Sequence, residues 1–194
     1  MVLWILCIVI IDPVSNEEKG AGILAEYKEH DGRILLGSLL GLIGTAVFFW
    51  WLGTLRDRLQ AAEAPGSRLT ALAYAGGVAT AICLMLAIGP DMAGAINNDD
   101  LDESAALALS STGDIFFIGA EYLLPIMLVA TALLALRTRV LPRWLAWITL
   151  LIALVLLIGP IGWAALIFAF PLWIIVVSFL LWRGPSRATA TTAP

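Results

Sequence analysis

The chain has 194 residues, of which 61% are hydrophobic and only 13% are charged, and its mean hydropathy is +0.95. Soluble domains carry about a quarter charged residues, so the composition excludes an ordinary soluble domain and indicates a membrane protein about one domain long. The net charge of -4 has little meaning by itself, but the sequence lacks a basic, aromatic surface for binding nucleic acid.

The first apolar run is short. It covers residues 1–11, MVLWILCIVII, and as a helix it would rise only about 16 Å, roughly half of a hydrocarbon core. It lacks the basic segment and the small-residue cleavage site of a complete signal peptide. We expect a short membrane helix that packs on the bundle. The alternatives are a tilted segment in a thinned membrane, or a longer helix truncated by a start codon assigned too late.

Three further runs have the length of a complete membrane crossing, which takes about 20 residues. Residues 34–55 and 69–88 carry no charge, and residues 115–136 carry a single one, Glu121. Each run is predicted to be a membrane helix. The segment QAAEAPGS at residues 60–67 contains a Pro-Gly pair and predicts a polar turn between the first two of them.

The last apolar stretch is too long for one crossing. Residues 144–182 carry no charge, and as a single helix they would measure about 58 Å. The sequence GPIG at 159–162 is typical of a turn, so we predict two helices, at residues 144–158 and 163–182. Pro171 lies inside the second of these helices and predicts a kink there.

The predicted fold is therefore all-α: a polytopic transmembrane helical bundle of about six segments in one domain, residues 1–183. The remainder, residues 184–194, is small, polar and Pro-containing, and we predict a disordered tail. A longer loop is expected at residues 91–114. Within this loop LDESAALAL predicts a short surface helix, with Asp100 or Asp102 near its N-terminus.

The charges predict how the bundle is oriented. Most of the eleven Lys and Arg residues fall on the side that holds residues 60–67 and the C-terminus, whereas most of the fifteen Asp and Glu residues fall on the other side. The positive-inside rule then predicts that the C-terminus is cytoplasmic. The cytoplasmic basic residues would be Arg56, Arg58, Arg68, Arg137, Arg139, Arg143, Arg183 and Arg187.

Glu121 is the candidate functional residue, because an ionisable group inside a membrane helix is costly and usually has a function. Asp114 precedes it by about two turns on the same helical face, and Pro125 removes the helical donor for the carbonyl group of Glu121. Together these features are typical of polar interruptions that line ion pathways. The structural alternatives are contact with headgroups or with Tyr74, or a carboxyl group that burial keeps protonated.

Small residues recur at helical spacing in two of the predicted helices. Residues 34–55 contain Gly37, Gly41 and Gly44, and residues 69–88 contain Ala73, Gly77 and Ala81. Such stripes allow helices to approach closely. They predict packing within the chain, with an oligomer interface as the alternative.

Signs of a metal, cofactor or catalytic site are missing from the sequence. Cys7 and Cys83 both lie in apolar runs, and His30 is the single histidine; we interpret the cysteines as small buried hydrophobes. The acidic segment NNDDLDE at residues 97–103 lacks the spacing and the glycine of an EF-hand and is expected to be solvated. We predict no cofactor, no metal and no enzymatic activity.

Several segments resemble a group of small, uncharacterised multi-pass membrane proteins of actinobacteria. The resemblance rests on EYKEHDGRILLGSLLGLIG, FFWWLGTLRDRL, LPRWLAWITLL and FPLWIIVVSFLLWRG, and it covers roughly residues 20–184. It implies the multi-pass topology and a bacterial plasma membrane but no catalytic residues. Members of the group have a full first helix, so the short run at residues 1–11 departs from the pattern.

Three functional hypotheses follow. The first is a non-enzymatic membrane module that binds a protein or lipid partner, with the bilayer itself and a homo-oligomer among the candidates. The second is a small proton- or cation-linked transporter or channel whose polar path passes Asp114 and Glu121. The third is a lipid-modifying enzyme, which only the carboxylates on the outer side would support.

Overall fold

A computed structural model of the protein describes residues 20–183, and the predictions for residues 1–11 and 184–194 lie outside that range. Within it the chain is helical and contains no strand. The helices are α1 (Gly20–Glu29), α2 (Asp31–Ala62), α3 (Leu69–Ile96), α4 (Glu103–Thr138), α5 (Arg143–Leu156), α6 (Gly159–Ala164) and α7 (Phe170–Arg183), and a π-helix, Ala165–Ala169, joins the last two.

Four of the helices are long and apolar enough to cross a membrane. They are α2, α3, α4 and the continuous helix Ile161–Arg183 that α6, the π-helix and α7 form together. The predicted all-α membrane bundle is thereby confirmed. The fifth predicted segment, residues 144–158, corresponds to α5, which has 14 residues. At 1.5 Å per residue α5 is about 21 Å long, shorter than a hydrocarbon core of about 30 Å.

The prediction of a loop at residues 91–114 with a separate surface helix is wrong. Helix α3 continues through Pro90 to Ile96, and α4 begins at Glu103 and runs without a break to Thr138. As predicted, Asp102 lies at this N-terminus, where its side chain accepts a hydrogen bond of 2.7 Å from the Ala105 backbone N–H. The helices extend because tertiary packing compensates for weak local signals such as an internal proline.

The packing that supports these extensions is a second, smaller core at one end of the bundle. Its buried members are Ile23, Tyr27, Ile34, Ala95 and Ala106. Helix α1 thus lies across the end of α3 and the start of α4. We call residues 20–29 and 91–106 the cap.

Helices α3 and α4 run antiparallel and meet at glycine. A Cβ atom on Gly76 would stand 2.7 Å from the backbone nitrogen of Met127, and one on Gly113 would stand 2.9 Å from the carbonyl oxygen of Ala87. Side chains therefore do not separate the two backbones at these points, as is common where membrane helices pack. On the neighbouring face, Gly77 packs against the side chain of Leu52 and so brings α2 to the pair.

An aromatic cluster joins α2 to α7 in the main core. Between the two helices, the Phe48 and Phe170 rings meet edge to face at 5.7 Å, and the Trp51 and Trp173 rings meet edge to face at 5.9 Å. The Trp173 indole N–H donates to Thr149 Oγ1 of α5 at 2.7 Å. Because a buried indole N–H needs an acceptor, this bond fixes the position of α7 along α5.

The connection from α5 to α7 differs from the prediction. The chain turns at residues 157–158, and Gly159 and Pro160 then open α6 rather than forming the turn. Proline is favoured at the first position of a helix because its missing N–H needs no partner there. Near the predicted kink at Pro171 the structure has the π-helix Ala165–Ala169, in which the Phe170 N–H bonds to the Ala165 carbonyl.

The turn between α2 and α3 is closed by a carboxylate. Gly66 has φ +83°, and the Ser67 N–H bonds to the Ala64 carbonyl at 3.2 Å, as in a type II turn. Glu63 accepts hydrogen bonds from the Ser67 hydroxyl and from the backbone N–H of Leu69 at 2.7 Å. The Ser67 hydroxyl is the main reason that the pKa of Glu63 lies below its ordinary value.

Substitution of Gly76 by alanine is expected to destabilise the bundle, because the new Cβ would meet the backbone of α4. Overpacking of this kind costs about 1–3 kcal/mol. The matched control is Gly53→Ala on α2, where a Cβ meets nothing within 4 Å, so alanine should be neutral or stabilising. Thermal unfolding in detergent, followed by Trp fluorescence, compares the two variants. An equal midpoint for both would contradict the close approach.

Glu63→Gln is expected to lower stability at neutral pH by roughly 1 kcal/mol, as loss of a helix cap does. Since folding lowers the pKa of Glu63, its contribution is present above the unfolded pKa and is lost as the pH falls through the folded value. The wild-type advantage over the variant should therefore shrink on acidification. Unfolding midpoints measured from neutral to acid pH test this, with the exposed Asp57→Asn as control.

Candidate functional site

Glu121 lies on α4 inside the main bundle. Its side chain is 4% exposed, and its Oε1 atom has no hydrogen-bond partner among residues 20–183. Buried polar groups are nearly always paired, and one that is unpaired calls for an explanation. Glu121, which the sequence predicted to lie inside a membrane helix, is therefore also buried within the protein.

Gly162 of α6 provides the space for this carboxyl group. A Cβ atom on Gly162 would overlap Glu121 Oε1 and would stand 2.7 Å from its carboxyl carbon. Only a glycine fits at residue 162 while Glu121 keeps this position. The two residues bring α4 and the start of α6 into direct contact.

Two main-chain carbonyl groups near the carboxyl group lack their usual helical donors. The carbonyl oxygen of Leu156 stands 2.7 Å from the same Cβ position on Gly162, and the residue four positions further on is Pro160, which has no N–H. The carbonyl group of Glu121 itself loses its donor to Pro125, which is buried in α4. Two carbonyl groups near an unpaired carboxyl oxygen thus lack the N–H donor that an uninterrupted helix would supply.

Buried small and apolar residues lie next to Glu121 along α4. Its neighbours Ala120 and Leu124 are buried, and a Cβ on Gly119 would stand 3.4 Å from the Cys83 sulfur of α3. Along α4, Glu121 lies about 26 Å from Thr138 at 1.5 Å per residue. In a hydrocarbon core of about 30 Å, that is the part of the crossing nearer the cap.

Such an arrangement can bind a proton or a cation. An ionised carboxylate without a partner in a low-dielectric environment costs several kcal/mol, so the group is expected either to be neutral or to be accompanied by a positive charge. Among residues 20–183 no group of three His, Cys, Asp or Glu residues could hold a metal ion.

Asp114 is not beside Glu121 but belongs to a separate cluster at the cap. It is exposed on α4, about 10 Å from Glu121 along the helix, and its charge acts on Asp91 and Tyr27. Tyr27 of α1 is 1% exposed and donates its hydroxyl to Asp91 Oδ1 at 2.8 Å. Its ring packs directly on Gly94, where a side chain would overlap it.

The tyrosine remains a neutral donor in this cluster. Burial raises the pKa of the Tyr27 phenol above its ordinary value, and the charges of Asp91 and Asp114 raise it further. The Asn98 side chain also donates to the Tyr27 carbonyl at 3.1 Å. The hydrogen bonds and the ring contact together fasten α1 to the end of α3.

The structure places the other candidate residues away from Glu121. Tyr74 lies under the Arg56 guanidinium, whose carbon is 5.1 Å from the ring centroid. The small residues of both stripes are buried within this single chain, and they are Gly37, Gly41, Gly44, Ala73, Gly77 and Ala81.

Sequence analysis missed three residues of these sites: Gly162, Tyr27 and Asp91. The GPIG segment signalled a chain reversal, but nothing in it indicated that its second glycine faces Glu121. Tyr27 and Asp91 lie far apart in sequence, and Asp91 was assigned to a solvated loop. For Gly162 the sequence did offer a signal, which was a glycine and a proline close to a break in an apolar run.

Comparisons with known proteins identify a family and no activity. A family model described as "Domain of unknown function (DUF4386)" matches residues 1–182. No curated protein and no solved structure matches the chain. The chemistry of the site itself therefore has to carry the functional argument.

Tyr27→Phe is expected to loosen the cap, because it removes the donor and leaves the part-buried Asp91 carboxyl group unpaired. Loss of one partner costs about 1–3 kcal/mol. Hydrogen exchange of the α1 backbone amides should accelerate in this variant and remain unchanged in Tyr122→Phe, whose ring is 48% exposed. Unchanged exchange in α1 of Tyr27→Phe would refute a fastening role for the Tyr27–Asp91 bond.

Proposed function

The chain belongs to the DUF4386 family, and we propose that it is a small proton- or cation-linked transporter or channel in which Glu121 is the binding group. The observation that supports this proposal is the carboxyl group itself, which is buried in a membrane-spanning helix with an unpaired oxygen. Ionisable residues in such positions are typical of proton relays and ion pathways. We further propose that the protein is not an enzyme.

We propose a bacterial plasma membrane and a cytoplasmic C-terminus, and the charge distribution supports this orientation. Arginines occur at one end of successive helices: Arg56 near the end of α2, Arg68 at the start of α3, Arg137 at the end of α4 and Arg183 at the end of α7. Helices that alternate in direction bring these ends to one side of the bundle. The positive-inside rule places that side in the cytoplasm and the cap outside.

The surface of the cap is suited to supplying cations to the site. Its exposed acidic residues are Glu29, Asp99, Asp100, Asp102 and Glu103. A surface of one sign raises the local concentration of counter-ions, protons among them. Since Glu121 lies in the part of α4 nearer the cap, protons or cations would reach it from this side.

The same acidic surface favours the second candidate function, a non-enzymatic module that binds a basic partner protein. The glycine stripes support this idea less than the sequence suggested, because Gly37, Gly41 and Gly44 are covered within the chain. In this second candidate function the partner can also be a lipid, because bilayer lipids surround the exposed apolar faces of the helices.

The test is ion flux through purified protein in liposomes. With a pH gradient or a cation gradient imposed, the wild-type protein is expected to dissipate at least one of them several-fold faster than protein-free liposomes. Glu121→Gln, which keeps the shape and removes the charge, should abolish that flux. The matched control is Asp57→Asn on α2, at an exposed position away from the cap.

Wild-type flux equal to that of protein-free liposomes for protons and for monovalent cations would reject the transport proposal. Equal flux in wild type and Glu121→Gln would also reject it, because the pathway would then not depend on this carboxyl group. Either result would favour the second candidate function, in which the acidic cap binds a partner protein.

A further inference from the structure

We propose that the species bound at Glu121 is a proton rather than a metal cation, and that the protonated carboxyl group donates a hydrogen bond to the Leu156 carbonyl. This bond would fasten α4 to the turn between α5 and α6, and loss of the proton would release that turn. The inference deepens the proposed function, on which it rests, by naming the ligand and the element that responds to it.

The first step of the argument is space. Glu121 Oε1 lies directly against Gly162, where even a Cβ atom would overlap it. Hard cations such as Ca²⁺ and Mg²⁺ take six or more oxygen ligands at 2.0–2.6 Å. The oxygen atoms nearest the Cβ position of Gly162 belong to Glu121 and Leu156, and no group of three His, Cys, Asp or Glu residues among residues 20–183 could complete such a shell. A proton needs no room beyond the hydrogen bond that it makes.

The second step is complementarity between donor and acceptor. The Leu156 carbonyl is an acceptor whose helical donor position is occupied by Pro160. Glu121 Oε1 has no partner among the described residues, and both oxygens border the Cβ position of Gly162. A protonated carboxyl group supplies an O–H donor. One proton would therefore join the unpaired carboxyl oxygen to a carbonyl group that has no helical donor four residues on.

The third step concerns the groups that face Glu121 from each neighbouring element. On α3 the Cys83 thiol lies beside Gly119 of α4, and residues 69–88 carry no charge. The Tyr122 hydroxyl of α4 lies near Gly159. Helices α5, α6 and α7 carry no charged residue between Arg143 and Arg183, and residues 34–55 of α2 carry none. On α4 itself the next charged group is Asp114, whose negative charge would favour a neutral carboxyl group further. No cation therefore faces the carboxyl group from the described part of these elements.

The responding element follows from the geometry. When the O–H bond breaks, the proton passes to water and the electron pair stays on Glu121, so the carboxylate and the Leu156 carbonyl become two acceptors that face each other. Leu157 and Ile158 of the turn are exposed, and the π-helix Ala165–Ala169 follows within the same helix. π-helical segments are frequent at functional sites. The turn can thus move away from α4 without unfolding the core.

The experiment is an infrared titration of the protein in lipid. A protonated carboxyl group gives a C=O stretching band separate from that of carboxylates, and this band should be present in wild type at neutral pH and absent in Glu121→Gln. It should disappear at high pH in wild type. Addition of Na⁺, K⁺ or Ca²⁺ should leave it unchanged.

Two alanine variants test the hydrogen bond separately from the charge. Gly162→Ala should shift or remove the band, because the new Cβ displaces the carboxyl group. Gly159→Ala should not, since a Cβ there meets only the Tyr122 hydroxyl, at 3.8 Å. Hydrogen exchange of residues 157–162, corrected for the intrinsic pH dependence of amide exchange, should accelerate several-fold when the pH is raised through the titration of the band in wild type. The corrected exchange should not respond to that pH change in Glu121→Gln.

The outcomes distinguish this inference from the proposed function. A band that cations remove, or cation-dependent stabilisation of wild type but not of Glu121→Gln, would overturn the proton and leave a cation-linked protein. A band unaffected by Gly162→Ala would overturn the bond to Leu156. Absence of both the band and any cation effect would overturn the inference, and Glu121-dependent flux would then decide the proposed function independently.

Discussion

The close approach of α3 and α4 is the constraint on which the rest of the structure depends. Glycine at residues 76 and 113 lets the two backbones come into contact at two points along the helices. These two contacts fix both the spacing and the register of the antiparallel pair. Helix α2 joins them at Gly77 through Leu52. Because the pair continues beyond the apolar spans, its ends form a platform for α1, and the same register brings Asp91 close to Asp114.

The bundle combines firmly packed regions with one region of lower expected stability. Edge-to-face aromatic contacts with α2 and the hydrogen bond from Trp173 to Thr149 hold α7 against its neighbours. The connection from Leu156 to Phe170 contains a turn, two glycines, a proline and a π-helix instead. Glu121 packs on this connection. An unpaired buried polar group costs free energy, and functional sites often retain such costs.

Part of the candidate site could be predicted from sequence and part could not. Glu121 and Pro125 were identifiable because a single charge and a proline in an apolar run violate local expectations. Asp114 was expected on the path to Glu121, whereas the structure places it with Tyr27 and Asp91 at the cap. The prediction of a loop at residues 91–114 was wrong for a related reason. Its polar residues signal a break locally, but burial of Ala95 and Ala106 against α1 stabilises helix there.

The sequence by itself determined the membrane environment, the positions of the long helices and the segregation of basic from acidic ends. These properties are sums over neighbouring residues, so apolar length and charge position are enough to establish them. Only the tertiary structure decided which groups meet. The contact of Glu121 with Gly162 and the bond of Tyr27 to Asp91 depend on helix register and rotation. Side-chain packing across helices sets register and rotation, and no local pattern in one helix specifies the partner that it will face.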